Sequence, residues 1–396
     1  MKILQIHNFY QTSGGEDSVV RAEKELLASR GHAIITYYRH NDEIRRYGLF
    51  KKIGFIKTVF YSGRTVKELT AIIEKERPDV AHVHNLFPLI SPSAYYCLKA
   101  HGIPVVQTVH NYRFLCPNGL FYRKGVICEK CKSGNTAHCF FYTCYRNSVF
   151  LSGLYALTFW FHRKLGTFLR FIDIFIALSN FAKDKLIEGG LPGSKIEVEG
   201  NFVAVDKHAP VYDKDSYALF LGRISPEKGI RTLLDAYKIL DTLFLKIAGE
   251  GPLLERVKEY IKSNNIANVD ALGFVSGSEK AALLGKAAVS IIPSEWYENF
   301  PMAVLESLAA GTPVIASRIG GLPELIEEGK NGLLFEPGNT GDLAAKIRYF
   351  YSNREIALNM SRYALESFEK RYSAGKHYEG LIQIYDKAIK LGRGRV

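Results

Sequence analysis

The chain has 396 residues, 47% of them hydrophobic and 23% charged, a globular balance that excludes a disordered or low-complexity polypeptide and suffices for two domains. Its net charge of +12 favours phosphate-bearing partners without choosing among nucleic acid, anionic lipid and nucleotide. No apolar run reaches the ~20 residues of a membrane span and no leader-like segment is visible, so a cytoplasmic protein, peripheral on the inner face of the cell membrane, is expected.

In chain order, short apolar runs alternate with amphipathic stretches, the pattern of a parallel sheet flanked by helices. Lys2–Ile6 reads as a strand, Gln11–Gly15 as a loop and Glu16–Ser29 as a helix ended by Gly31. Further strands are expected at Ala33–Tyr37, Val80–Val83, Pro104–Thr108, Asp173–Ala177 and Ile196–Val198, completing a first sheet. The pattern breaks between Asn201 and Ser216. A second series has strands at Ala218–Leu221, Leu243–Ala248, Val289–Ile292, Val314–Ala316 and Gly332–Phe335. Helices at Thr232–Leu240, Pro252–Lys262, Ser278–Lys286, Met302–Ala310 and Asp342–Tyr351 fit between them, and Tyr378–Ile389 reads as a terminal helix. The expected organisation is a domain at 1–205 with a Cys-rich insertion at about 116–144, a second at 206–375, and a C-terminal helix within 376–396 that can pack back on the first.

Three loops of the second series carry chemistry. Gly222-Arg223-Ile224-Ser225-Pro226-Glu227-Lys228-Gly229 leaves a strand and opens a helix, at the strand end where open α/β sheets bind ligands, and Arg223 and Lys228 give it two cations. Glu298 lies in the loop before the helix Met302–Ala310, and Glu306 on that helix's second turn. Amides at a helix start suit a diphosphate, and a carboxylate suits ribose hydroxyls. Gly320-Gly321-Leu322-Pro323-Glu324 is a third glycine loop ending at a helix start. Singly, each is equally an ordinary solvated turn; together they point to one phosphate-binding sheet edge.

In the first series, Gly14-Gly15 allows close backbone approach to a ligand, and His110 follows the fourth strand, where it can bond a hydroxyl or stand as a structural histidine. His82 and His84 alternate on the third strand and so share a side. Cys128 and Cys131 have the two-residue spacing of a tetrahedral zinc site, which Cys116 and Cys144 can complete, with Cys139 and His138 as rivals for the fourth place. The alternative is a group of buried thiols. Arg45, Arg46, Lys51, Lys52 and Lys57 interleave with aromatic and aliphatic residues, as a surface for anionic lipid or as a solvated helix face.

The stretch from Tyr217 to Asp342 resembles the donor domain of retaining glycosyltransferase family 4. The resemblance rests on Gly222-Arg223 with Lys228, Gly249-Glu250-Gly251-Pro252, Gly273-Phe274-Val275, Glu298 with Glu306, Ala309-Ala310-Gly311-Thr312-Pro313-Val314, and Gly320-Gly321 to Glu324. It implies the GT-B fold, with two Rossmann-like domains whose parallel sheets face across a cleft, and transfer from a nucleotide-diphosphate sugar to an acceptor hydroxyl with retention. By that resemblance Arg223 and Lys228 hold the diphosphate, Glu306 the ribose, and Glu298 the transferred sugar. Gly15 borders the diphosphate, and His110 stands at the reacting centre. Pro301 stands where many members have glycine and lacks an N–H, so the phosphate amides fall to Met302 and Ala303. No cofactor is expected for catalysis beyond a structural zinc. A glycan or lipid-linked acceptor in cell-surface polysaccharide or lipopolysaccharide assembly is expected, and no nucleic acid. Two rivals stand beside this reading: an epimerase-like sugar-nucleotide enzyme of the same fold, and a nucleic-acid binder built on the cysteine knuckle with Arg123, Lys124, Lys130 and Lys132.

Overall fold

A computed structural model describes the chain except residues 12, 13, 48, 205–213, 241 and 394–396. It divides into two compact units. The first comprises Met1–Phe121, Glu129–Asn201 and Ala374–Val396, and the second Tyr122–Cys128 and Phe202–Ser373.

The first unit is built on a six-stranded parallel sheet: β1 (Lys2–Phe9), β2 (Ala33–His40), β3 (Val80–Val83) and β4 (Val105–Val109). After β5 (Tyr122–Arg123) and β6 (Val126–Ile127), which form a short antiparallel hairpin, come its last strands, β7 (Ile174–Ala177) and β8 (Ile196–Val198). The spatial order is β2-β1-β3-β4-β7-β8. β3, β4 and β7 are buried along their whole length, as parallel strands covered on both faces require, which is why they read as unbroken apolar runs. The helix Ala374–Arg393 lays Leu381, Ile384, Tyr385 and Ala388 against Ile3, Val80, Val106 and Ile174 of this sheet, so the last helix of the chain belongs to the core of the first unit.

The second unit has β9 (Tyr217–Leu221), β10 (Phe244–Ala248), β11 (Val269–Gly273), β12 (Val289–Ile292), β13 (Val314–Ser317) and β14 (Gly332–Phe335), all parallel, in the order β11-β10-β9-β12-β13-β14. Sequence reading overlooks β11: Val-Asp-Ala-Leu-Gly is an edge strand with exposed Asp270 and Leu272, and no apolar run marks it. Its core joins Phe220, Leu233, Ile247, Ile291, Ile315 and Phe335.

In both sheets the strand order reverses beside the first strand. The chain leaves β9 toward β10 and leaves β12, on its other side, toward β13. The crevice at the carboxyl ends of β9 and β12 is therefore the switch point at which such sheets bind ligands. In the first sheet the corresponding point lies between β1 and β3.

Candidate functional site

In the second unit the loop after β9 and the loop after β12 flank the switch point. Gly229 ends the first loop in the left-handed region (φ 67°), and a Cβ there would lie 1.7 Å from the Pro293 carbonyl oxygen, so only glycine lets this loop press onto the end of β12. That approach brings Lys228 Nζ to 2.7 Å from Glu298 Oε1. The Ser294 hydroxyl donates to the same carboxylate oxygen, and the Trp296 ring lies under the ammonium at 5.2 Å. Glu298 is buried and its loop is pinned from a third side. The Gly321 amide donates to the Glu298 carbonyl at 2.7 Å, and a Cβ on Gly320 would fall 2.5 Å from that same oxygen.

Glu306 lies on the helix Met302–Ala309, and its Oε1 accepts from Lys280 Nζ at 2.8 Å. Met302 and Ala303 open that helix behind Pro301, which is extended, so their amides lie in the first turn and lack carbonyl partners four residues back. Arg223 stands exposed on the loop after β9. The structure thus joins Lys228 to Glu298 and sets Glu306 beside Lys280. Sequence reading did not single out Lys280, Ser294 or Trp296. Lys280 stands three residues beyond Gly277 on an otherwise ordinary helix, and nothing local marks it.

In the first unit Gly15 opens the helix Gly15–Ser29, with Gly14 before it in an extended conformation. His110 follows β4 and is half-buried, and its ring stacks on that of His84, with Nε2 2.9 Å from His84 Nδ1. Burial lowers the His110 pKa below the ordinary imidazole range, with the neighbouring Glu16 acting the other way. Glu16, His84, Asn85, His110, Asn111 and Arg113 line a small depression beside Phe87, Phe114 and Phe159. His82 and His84 do share a side, and both face the buried carboxylate of Glu23, at 3.5 and 3.3 Å. Glu23 was not singled out in the sequence, where it is one acidic residue on an amphipathic helix.

Cys131, Cys139 and Cys144 pack together with Ala156. The Cys139 thiol is pushed far up by its hydrogen bond with Cys144 and by burial, and Cys116 is raised to about 11 by burial, with Cys144 adding to it. Zinc binds sulfur as thiolate, so an ion here would have to displace the protons that burial and mutual crowding hold on Cys116 and Cys139. Cys139, a rival for the fourth place, lies in this cluster, whereas Cys128 ends the hairpin segment that groups with the second unit.

Part of the basic cluster read in the sequence falls on residues whose side chains the structure does not describe. The side chains of Arg46, Lys51 and Lys52 lie outside the described residues. The helix Val149–Lys164 exposes Phe150, Leu157, Trp160 and Phe161. Among the described residues no helix is long and apolar enough to cross a membrane.

A family model described as "Glycosyl transferases group 1" matches residues 204–367, and one described as "Glycosyltransferase Family 4" matches residues 13–207. An uncharacterized glycosyltransferase of Methanocaldococcus jannaschii is 27% identical over 397 residues, covering 98% of each chain. Among solved structures, the sucrose-phosphate synthase of Thermosynechococcus elongatus aligns with a TM-score of 0.74 at 17% identity, over 98% of this chain and 99% of that one. HepE of Anabaena, in complex with UDP-glucose, aligns with a TM-score of 0.67 at 17% identity, over 98% of both.

Proposed function

We propose that this chain, which belongs to glycosyltransferase family 4 and has the GT-B fold, transfers a sugar with retention from a nucleoside-diphosphate donor to the hydroxyl of a glycan or lipid-linked acceptor. The observation that carries this reading is the Lys228–Glu298 pair at the switch point of the second sheet, with Glu306 on the helix that follows. A diphosphate leaving a sugar needs a cation and helix-start amides that do not have to reorganise as charge develops; Lys228, with Arg223 on the same loop and the amides of Met302 and Ala303, supplies them. Glu298 accepts hydrogen bonds from hydroxyls of the transferred sugar, and Glu306 from those of the ribose. His110 and Gly15 serve the reacting sugar and its acceptor in the first unit.

Retention follows if the acceptor hydroxyl attacks the face the diphosphate leaves and gives its proton to that phosphate, so the protein positions groups and stabilises charge without a separate base. The acceptor is placed in cell-surface polysaccharide or lipopolysaccharide assembly. The exposed apolar side chains of the helix Val149–Lys164, ending in Arg163 and Lys164, support contact with an anionic membrane surface, where a lipid-linked acceptor would be found. Cys116, Cys128, Cys131 and Cys144, with Cys139 as the rival for one place, would hold a structural zinc that fixes the insertion.

The experiment is a donor screen read by nucleoside-diphosphate release, starting with UDP-glucose, on the parent chain and on Glu306→Ala and Lys228→Ala. Release by the parent with some donor held below its KM, sharply reduced in both variants, supports the assignment. Undiminished release by both variants would overturn it.

A further inference from the structure

The first unit brings three side chains of metal-ligand type to one buried point that the transfer reading does not use. Glu23 comes from the helix Gly15–Ser29, His82 from β3, and His84 from the position just after that strand. Glu23 Oε2 lies 3.3 Å from His84 Nε2 and 3.5 Å from His82 Nδ1, and the three atoms all fall within 4.8 Å of one another. All three side chains are buried. Glu23 Oε1 faces His377 Nε2 at 3.2 Å, whereas Oε2 accepts no hydrogen bond from the described residues. An enclosed carboxylate oxygen without a donor is costly unless a positive group completes it.

The spacing separates two explanations. A charge-assisted hydrogen bond from nitrogen to a carboxylate is short, about 2.7–2.9 Å, and both contacts to Oε2 exceed that. Ligands about 2.0–2.1 Å from one tetrahedral zinc ion stand about 3.3–3.4 Å apart, which is the separation found here. The far side of each ring also suits ligation. The Thr108 hydroxyl lies 2.7 Å from His82 Nε2, and His110 Nε2 lies 2.9 Å from His84 Nδ1. Each can take the proton that a ligating imidazole carries on its other nitrogen. Two neighbours compete for the near nitrogens. The Tyr385 hydroxyl lies 2.7 Å from His82 Nδ1, and the Gln5 amide nitrogen, which donates to the Val20 carbonyl at 3.2 Å, stands 3.4 Å from His84 Nε2. Neither supplies a hydrogen bond to Glu23 Oε2.

We propose that Glu23 Oε2, His82 Nδ1 and His84 Nε2 form a zinc site, separate from the cysteine cluster, that ties the helix Gly15–Ser29 to β3. Two imidazoles and one carboxylate suit zinc or another late first-row divalent ion better than calcium or magnesium, which prefer oxygen alone. The ion takes the place of the Tyr385 hydroxyl as the partner of His82 Nδ1, and His377 keeps the other oxygen of Glu23. Burial leaves no coordination position open to a substrate, so the ion is structural and takes no part in transfer.

The test is elemental analysis of the full chain, made without a histidine tag, after dialysis against zinc and then against zinc-free buffer. The parent should hold about one zinc ion per chain more than Glu23→Gln, and Tyr385→Phe, which removes only the competing hydroxyl, should keep that ion. X-ray absorption at the zinc edge should show nitrogen and oxygen ligands in the parent that Glu23→Gln lacks, while any sulfur ligands from the thiol cluster are common to both. Equal zinc content in the parent and in folded Glu23→Gln overturns the proposal. Should Glu23→Gln not fold, the parent still decides: no bound zinc, or a zinc edge with sulfur ligands alone, overturns it.

Discussion

The ammonium of Lys228 lies 2.7 Å from Oε1 of Glu298, so two groups assigned to different parts of one donor are already partners of each other. Each holds the other where the donor will need it. Lys228→Ala should lower kcat/KM for nucleoside-diphosphate release by about 10²-fold or more, and Glu298→Gln by a comparable factor. Because the pair acts as a unit, the double variant should lose much less than the product of the single losses, which initial rates on the four proteins of the cycle will show.

Glu306 should act on binding more than on the chemical step. Glu306→Ala removes a charged hydrogen-bond acceptor worth about 1.5–3 kcal/mol, so the donor KM should rise about ten- to a hundredfold while kcat changes little. Lys280→Ala leaves the carboxylate in place but unheld, and should raise KM by no more than about fivefold, in line with a half-exposed ion pair.

Gly229→Ala tests the close approach that brings the Lys228 loop to β12. Its Cβ would overlap the Pro293 carbonyl oxygen in a backbone conformation unfavourable to L-residues. The melting temperature should drop by several degrees, the mark of a loss of about 1–3 kcal/mol, and activity should fall further than stability because Lys228 shifts with the loop.

His377 gives a pH signature. Its pKa is about 9 in the folded chain against an ordinary value of 6.5, so its stabilising contribution is full below about 6.5 and disappears as pH rises through about 9. His377→Gln should therefore be less stable than the parent by up to roughly 3 kcal/mol near pH 6, with the gap closing by pH 9 to 10. Denaturant melts of both proteins across that range measure it. A gap that widens with pH would contradict the assigned charge.

The thiol cluster predicts about one zinc ion per chain in protein purified under reducing conditions, read by elemental analysis, with loss on Cys139→Ser or Cys144→Ser. Reduced protein without bound zinc would leave these side chains as packing residues.

Much of the fold was legible because parallel strands are short buried runs. Val80–Val83 and Val289–Ile292 stand out in the sequence for the same reason they are inaccessible in the structure. β11 was not legible, since an edge strand with one wet face carries no such run. Of the site, Lys228, Glu298 and Glu306 were found through glycine loops and helix starts, which are local signals. Lys280, Glu23 and His377 matter through partners 26 to 354 residues away, and no local pattern records such a pairing.

The helix Ala374–Arg393 fills the hydrophobic core of a sheet whose strands end with β8. During synthesis that sheet waits, unfinished, while the second unit is translated, because the helix that closes it follows that unit in the chain. A nascent chain stalled before Ala374 would expose Ile3, Val80, Val106 and Ile174 to water and leave Glu23 without its countercharge.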